Sequence, residues 1–373
     1  MRAPGALPPD PASVTAIRAG AGATSGMPAM PPAPDYVPYA KLRGRPNIIV
    51  DGAPLKSTVL TLSHWPNNVT PPELLRDTST ETVFAYLAAP EFHVTVPAVS
   101  NNHFDEDGLF SMFALREPVM ALRYRDLLVD ASRAGDFGIF RQRDAARLCF
   151  AIEACADPAT SPLDPKTFEV CERERVVRLY RQMLERLPDL IEQLPAHQAL
   201  WSVQDAHLDE SLSLVGQGQV AIEEIPSGDI AVVRIPAGLP ARRLRRYLAP
   251  EQGAVHPFAI HQATDCNRIL RIQGARYELQ YRYESWVQLA SRRPALRVSL
   301  EPLAERLNQI ESAPGTWRGE PVTEVAPRLY LDGADGSRIS AEEFIRLVCD
   351  YLASAPVAWD PYDWQPQAVE LQG

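Results

Sequence analysis

The sequence predicts an α/β fold, a sheet with flanking helices followed by a smaller α+β domain, and three observations carry that expectation. Short apolar runs at residues 47–50, 57–62 and 94–99 each lead into polar or ionisable side chains, with helical patterns nearby, as in a sheet whose functional groups gather at one edge. Near Val215 the apolar period changes from 3.6 to 2, which marks a second unit rich in strands. The 373 residues suffice for two domains of ordinary size.

Taken in order, residues 1–44 are rich in Ala, Pro and Gly without periodicity, and read as a disordered leader. Residues 45–214 form the α/β unit. Its first strand, Asn47-Ile48-Ile49-Val50, ends in Asp51-Gly52, and its second ends in Ser63-His64-Trp65. Thr70-Pro71-Pro72-Glu73 opens a helix by its cap and first-turn proline, and a further helix begins around Asp77-Thr78-Ser79-Thr80-Glu81. The third strand, residues 94–99, empties into an acidic loop. Residues 118–134 carry a helix that stops at Gly135-Asp136, and two more helices are expected over 144–156 and 172–194. In the second unit, residues 215–373, Pro-Ser-Gly-Asp separates two strands at 220–224 and 230–235 as a hairpin turn would. A long alternating strand runs over 277–287. Another is expected at 297–300, and helices at 301–311 and 341–353.

Composition narrows the function classes. The net charge of -10 argues against non-specific binding to nucleic acid or anionic membranes as the main role, while leaving room for a local basic pocket. Five cysteines without a CxxC pair read as reduced thiols, not as a zinc site or a disulfide framework. No apolar run is long enough to cross a membrane, and no signal-peptide core precedes the leader; a soluble, cytoplasmic protein is expected.

The chemistry concentrates in Ser100-Asn101-Asn102-His103-Phe104-Asp105-Glu106-Asp107-Gly108. In an extended segment, His103, Asp105 and Asp107 share a face and Glu106 points away. Three carboxylates within three residues repel one another unless a cation or hydrogen bonds compensate them. Hard oxygens with one imidazole suit Mn²⁺ or Mg²⁺. The same residues also suit a helix cap and a turn, as Asp51 suits a turn and His64 a core position.

His103-x-Asp105-x-Asp107-Gly108-x-x-Ser111 resembles the first motif of the DHH phosphoesterase superfamily. That group includes exonucleases, oligoribonucleases, cyclic-dinucleotide phosphodiesterases and manganese pyrophosphatases. Asp51, then Ser63-His64-Trp65, then Ser79-Thr80-Glu81 is similar in order to the superfamily's strand-end acid, Asp-His-His and Ser/Thr-rich helix start. Ser63 and Trp65 replace the first and third residues of Asp-His-His, and the segment precedes the His-x-Asp-x-Asp motif instead of following it, as in a circular permutation. Asp136 resembles the superfamily's last acid.

The resemblance implies a DHH-like sheet and a two-metal centre that holds Mn²⁺ (or Mg²⁺) through Asp105, Asp107, Asp136, His103 and Asp51. His103, Asp105, Asp107 and His64 would be catalytic. It also implies a smaller substrate domain. No Gly-Gly-Gly-His motif is found there, and His256 and His261 with Arg268 and Arg282 stand in as substrate-binding candidates, beside Ser111 of the first motif. The expected function is hydrolysis of a phosphodiester or phosphoanhydride. The expected partner is a small phosphate-containing substrate or short oligonucleotide, with no membrane involved and homo-oligomerisation left open. The alternative is a non-catalytic phosphate- or metal-binding regulator that kept the fold.

Overall fold

In a computed structural model of the chain, residues 30–246 and 249–363 are described. The disordered leader expected over 1–44 falls partly outside them, through residue 29. Its remainder is structured: β1 (Asp35–Tyr36) pairs in parallel beside Ala98 and Val99, and Leu42 is buried. β2 (Asn47–Val50) and β3 (Thr58–Leu62) follow, then α1 (Ser79–Leu87), β4 (Ala98–Ser100) and α2 (Glu106–Arg116). The strands form a four-stranded, wholly parallel sheet in the order β1-β4-β2-β3. All four residues of β2 are buried, as befits an inner strand of a parallel sheet covered on both faces.

Helices α3 (Pro118–Arg123), α4 (Arg125–Phe137), α5 (Arg143–Ala156), α6 (Glu172–Glu192) and α7 (Gln198–Gly216) complete the first half. α2 is buried on every side from Asp107 to Leu115, with α1, α4, α5, α6 and the sheet around it. A helix apolar all round belongs at the centre of a domain. Three expectations change here. Residues 70–73 make a turn without a helix. The strand expected from Val94 begins only at Ala98. The helix expected over 118–134 breaks at Tyr124, then runs through Gly135 and Asp136 to stop at Gly138, whose φ of 69° supplies the left-handed cap.

The second half contains β5 (Ala221–Ile225), β6 (Ile230–Ile235), β7 (Arg242–Arg246), β8 (Ala249–Gly253), α8 (Pro257–His261), β9 (Arg268–Gln273), β10 (Arg276–Tyr281), β11 (Arg297–Val298), α9 (Glu301–Ile310), β12 (Thr316–Gly319), β13 (Arg328–Asp332), α10 (Ala341–Ser354) and β14 (Val357–Trp359). The predicted hairpin is β5–β6. It opens a six-stranded mixed sheet in the order β12-β13-β10-β9-β6-β5, in which only β6 and β9 are parallel. The alternating strand ends at Tyr281, where the chain turns into a 3-10 helix, Tyr283–Ser285. One face of this sheet (Ala231, Val233, Ile269) joins the apolar core of the first half. The opposite face (Val232, Leu270, Leu279) packs against α9 and α10. The α/β fold holds, and its two larger sheets are bridged by one continuous core, with β7–β8 and β11–β14 as separate two-stranded pairs.

Candidate metal centre

The parallel sheet brings three chain segments to one edge. Asp51 follows β2, His64 lies two residues beyond β3, and His103 and Asp105 follow β4. Asp51 takes a left-handed backbone, φ 45°, that a non-glycine residue adopts at a cost of about 1–3 kcal/mol, and such strain collects at functional sites. Gly52 beside it packs close to two amides: a Cβ there would stand 2.2 Å from Asn102 Oδ1 and 2.9 Å from Asn101 Oδ1, so those side chains would have to turn aside.

His64 is fully buried, and its Nδ1 lies 2.5 Å from the carbonyl oxygen of Asp77. A carbonyl only accepts, so Nδ1 carries the proton and Nε2 faces the acids: Asp51 Oδ1 at 3.4 Å, Asp136 Oδ2 at 3.7 Å and Asp107 Oδ2 at 3.9 Å. Metal-binding histidines are commonly oriented in this way, one nitrogen fixed by a backbone carbonyl and the other presented to the site. His103 Nε2 lies 2.8 Å from Asp105 Oδ2 and 3.3 Å from Asp51 Oδ2, under the ring of Trp65.

Two ligand sets result. Asp51, His64 and Asp107 make one, and Asp51, His103 and Asp105 the other, each with donor atoms within 4.8 Å of one another. Asp51 belongs to both, one carboxylate oxygen on each side.

The supporting contacts follow from helix ends. Thr78 caps α1 and takes the N–H of Glu81, which leaves the N–H groups of Ser79 and Thr80 to donate to the two oxygens of Asp107 at 2.6 and 2.7 Å. Asp105 caps α2 by accepting from Gly108 N at 2.8 Å, so its capping role and its place beside His103 coexist. Asp107 is thereby a first-turn helical residue, and the shared face expected for His103, Asp105 and Asp107 in an extended segment does not form. Asp136 sits in the last turn of α4, the end of the dipole that disfavours an anion.

Electrostatics record the crowding. Burial, then the charge of Asp51, push the Asp107 carboxyl up to about 7. Burial raises Asp136 well above the carboxylate range, with Asp107, Asp105 and Asp51 adding to it; burial raises Asp105 as well. Burial also opposes the charge on Asp51, but hydrogen bonds from His103 and His64 outweigh it and hold that carboxyl low. Such a group of acids calls for compensating positive charge. Burial opposes it on His64 and His103, but the neighbouring aspartates outweigh burial and raise both imidazoles, and a divalent ion bound there would supply that charge in place of their protons.

A cavity of about 230 Å³ opens onto the cluster, lined by His103, Asp105, Glu106, Asp136, Glu153, Arg245 and the rings of Trp65, Tyr283 and Trp286. The Tyr283 hydroxyl reaches to 3.4 Å from His64 Nε2.

The family model of DUF6687, a family of unknown function, matches residues 32–363. The chain belongs to DUF6687. No curated protein and no solved structure matches it. The span matched to DUF6687 includes every residue of the cluster and of the cavity above it.

The structure therefore brings together Asp51, His64, His103, Asp105, Asp107 and Asp136 as expected, and scatters the substrate-binding candidates. Ser111 is buried between α1 and α2, 3.4 Å from Thr80 Oγ1. His256 caps α8 among Phe150, His207 and Phe258. His261 Nδ1 and the Arg282 guanidinium both donate to the Phe137 carbonyl, and Arg282 also pairs with Glu284. Arg268 donates to the carbonyls of Gly228 and Leu296. These four are buried in the second half, engaged with backbone carbonyls and neighbouring rings instead of facing the cavity. Ser63 does not face the cluster: its hydroxyl accepts from Gly52 N and Trp65 N, while Trp65 forms the cavity wall.

Three cavity groups escaped the sequence reading. Arg245 comes from the run Arg242-Arg243-Leu244-Arg245-Arg246, whose density of arginines in an acidic chain was a usable signal. Glu106 does not point away: it turns toward Gly135, and it groups with Cys149 and Glu153. Glu153 lies on a helix with no local mark of function.

Proposed function

We propose that this protein is a metal-dependent hydrolase of phosphodiesters or phosphoanhydrides, in which Asp51 is shared by two adjacent Mn²⁺ or Mg²⁺ sites. The observation that carries the reading is the pair of His/Asp sets meeting at the two oxygens of one buried, strained aspartate. Divalent ions in such a pair activate water and stabilise the oxygens of an in-line displacement. The donor set, carboxylates with two imidazoles and no described thiolate in either set, suits Mn²⁺ and Mg²⁺.

The remaining work falls to side chains. Asp77 fixes the tautomer and direction of His64, and the first turn of α1 holds Asp107 in place. Arg245 is the cation of the cavity wall and offers its guanidinium fork to a phosphate. Trp65 and Trp286 pack edge to face, 5.1 Å between centroids, and limit water at the cavity mouth. The resemblance of residues 103–111 to the first DHH motif supports the same chemistry. A second reading, a regulator that binds metal without turnover, is favoured by the strongly apolar walls contributed by Trp65, Phe104, Trp286 and Val325.

The test is hydrolysis of bis(p-nitrophenyl) phosphate and of pyrophosphate with added Mn²⁺. The proposal expects metal-dependent turnover that falls at least a hundredfold in Asp51→Asn. Absence of turnover with both substrates, despite tight Mn²⁺ binding, would favour the regulator.

A further inference from the structure

On the other side of the loop that carries His103, a groove of about 1130 Å³ runs between the β1 segment, the turn before β3 and the start of α6. Asn101 and Asn102 line it, so the His103 loop is the partition between groove and metal centre. Its cations are Lys41, Arg43, Lys56 and Arg173, all exposed. The whole chain has three lysines, and two of them stand here.

The charge of this groove is not cancelled by its own acids. Glu172 pairs with Arg175 and Glu174 with Arg178, both along α6, whereas among the described residues no acid lies within ion-pair distance of Lys41, Arg43, Lys56 or Arg173. Elsewhere a number of arginines are committed to acids, as in Arg143 with Asp205, Arg271 with Glu278 and Arg328 with Glu320. In a chain of net charge -10, a concentration of uncommitted cations in one concavity is a local reversal of field. Arg43 is moreover presented from a left-handed turn, φ 44°, with Gly44 at 78°. Aromatic surface lies among these charges. Tyr36 and Tyr39 line the groove, and the Tyr36 hydroxyl is buried without a hydrogen-bond partner among the described residues.

We infer that this groove binds the phosphates and base of a nucleotide-class anion, a chemistry that a single-stranded oligonucleotide and a free nucleotide share. Cations that follow the phosphates and rings that stack on bases are how such ligands are held without sequence preference. The inference does not depend on the proposed hydrolysis, because none of its residues belongs to the acid cluster.

The test is fluorescence anisotropy with a fluorescein-labelled dT12 strand at low salt and in excess EDTA, so that no divalent ion contributes. Wild type is expected to bind, and Lys41→Ala/Lys56→Ala/Arg173→Ala to bind at least tenfold more weakly. The slope of log Kd against log salt should fall by about two, near the value for three lost phosphate contacts on a single strand. A variant with Lys41→Arg and Lys56→Arg should retain binding. Asp105→Asn/Asp107→Asn should also retain it, which separates this site from the metal centre. Displacement of dT12 by ATP at similar concentration would assign the groove to free nucleotides, and displacement only by unlabelled strands would assign it to oligonucleotides. No binding by wild type, or unchanged binding by the folded triple variant, overturns the inference.

Discussion

Asp107 and Asp136 are both buried carboxylates, yet their helices treat them oppositely. Two N–H groups of α1 serve Asp107, while Asp136 lies where the dipole of α4 repels it. Asp107→Asn should therefore destabilise the metal-free protein by about 1–3 kcal/mol in urea unfolding, because an amide offers one oxygen to the two donors. Asp136→Asn should stabilise it by about 1 kcal/mol near pH 7, since it removes a buried acid whose ionisation burial, the neighbouring acids and the helix C-terminus oppose, and should weaken Mn²⁺ binding at least tenfold. Opposite signs from one chemical change would separate a held ligand from a strained one. The pH dependence follows from the same crowding. Asp107 titrates near 7 in the folded chain against an ordinary 3.8, and Asp105 and Asp136 are also raised. Folded protein keeps protons that the unfolded chain releases. The stability from these groups is full below about pH 4 and is lost as pH rises toward 7. Bound cations replace those protons, so the Tm gain on adding Mn²⁺ should be larger at pH 7.5 than at pH 5; an equal gain at both would contradict this.

Much of the sheet edge was legible because each ligand sits just past an apolar strand or inside a helix-capping pattern. Asp51 after β2, His64 after β3 and Thr78 before α1 needed only local rules. Prolines misled at residues 70–73: Pro71 and Pro72 fit a first helical turn, but the chain turns there and Thr70 instead bonds Ser63. The extended face expected of His103, Asp105 and Asp107 failed because Asp105 is a cap, after which the period becomes helical. Gly108 shows how tightly that junction is closed. A Cβ there would meet Asn101 Nδ2 at 2.4 Å and the Tyr180 hydroxyl at 2.6 Å. Gly108→Ala should lower the Tm and weaken Mn²⁺ binding together, while Thr78→Ala should cost about 1 kcal/mol of stability through the lost cap.

Across the whole molecule, the second half fastens onto the site. Gln288 N donates to the His64 carbonyl, Ala290 N and Ser291 N donate to Asp77 Oδ1, and Arg282 and His261 reach the end of α4. Such contacts join residues more than a hundred positions apart, so no local pattern announced them. Of the arginines expected to grip substrate, Arg282 is one of these fastenings and Arg268 ties together segments within the second half, while Arg245 arrived from a strand with no sequence link to the cluster. Because Asp77 holds the 290–291 loop through its carboxylate and His64 through its backbone carbonyl, the two halves should unfold in one transition; Asp77→Ala frees the loop but keeps that carbonyl, so it should lower the Tm and leave Mn²⁺ affinity unchanged.

The most direct test is the Mn²⁺ stoichiometry by titration calorimetry, for wild type, Asp105→Asn and Asp51→Asn. Two ions per chain in wild type, one in Asp105→Asn and none bound tightly in Asp51→Asn would establish Asp51 as the acid common to both sites. No binding by wild type, or an Asp51→Asn protein that still binds two ions, would contradict it.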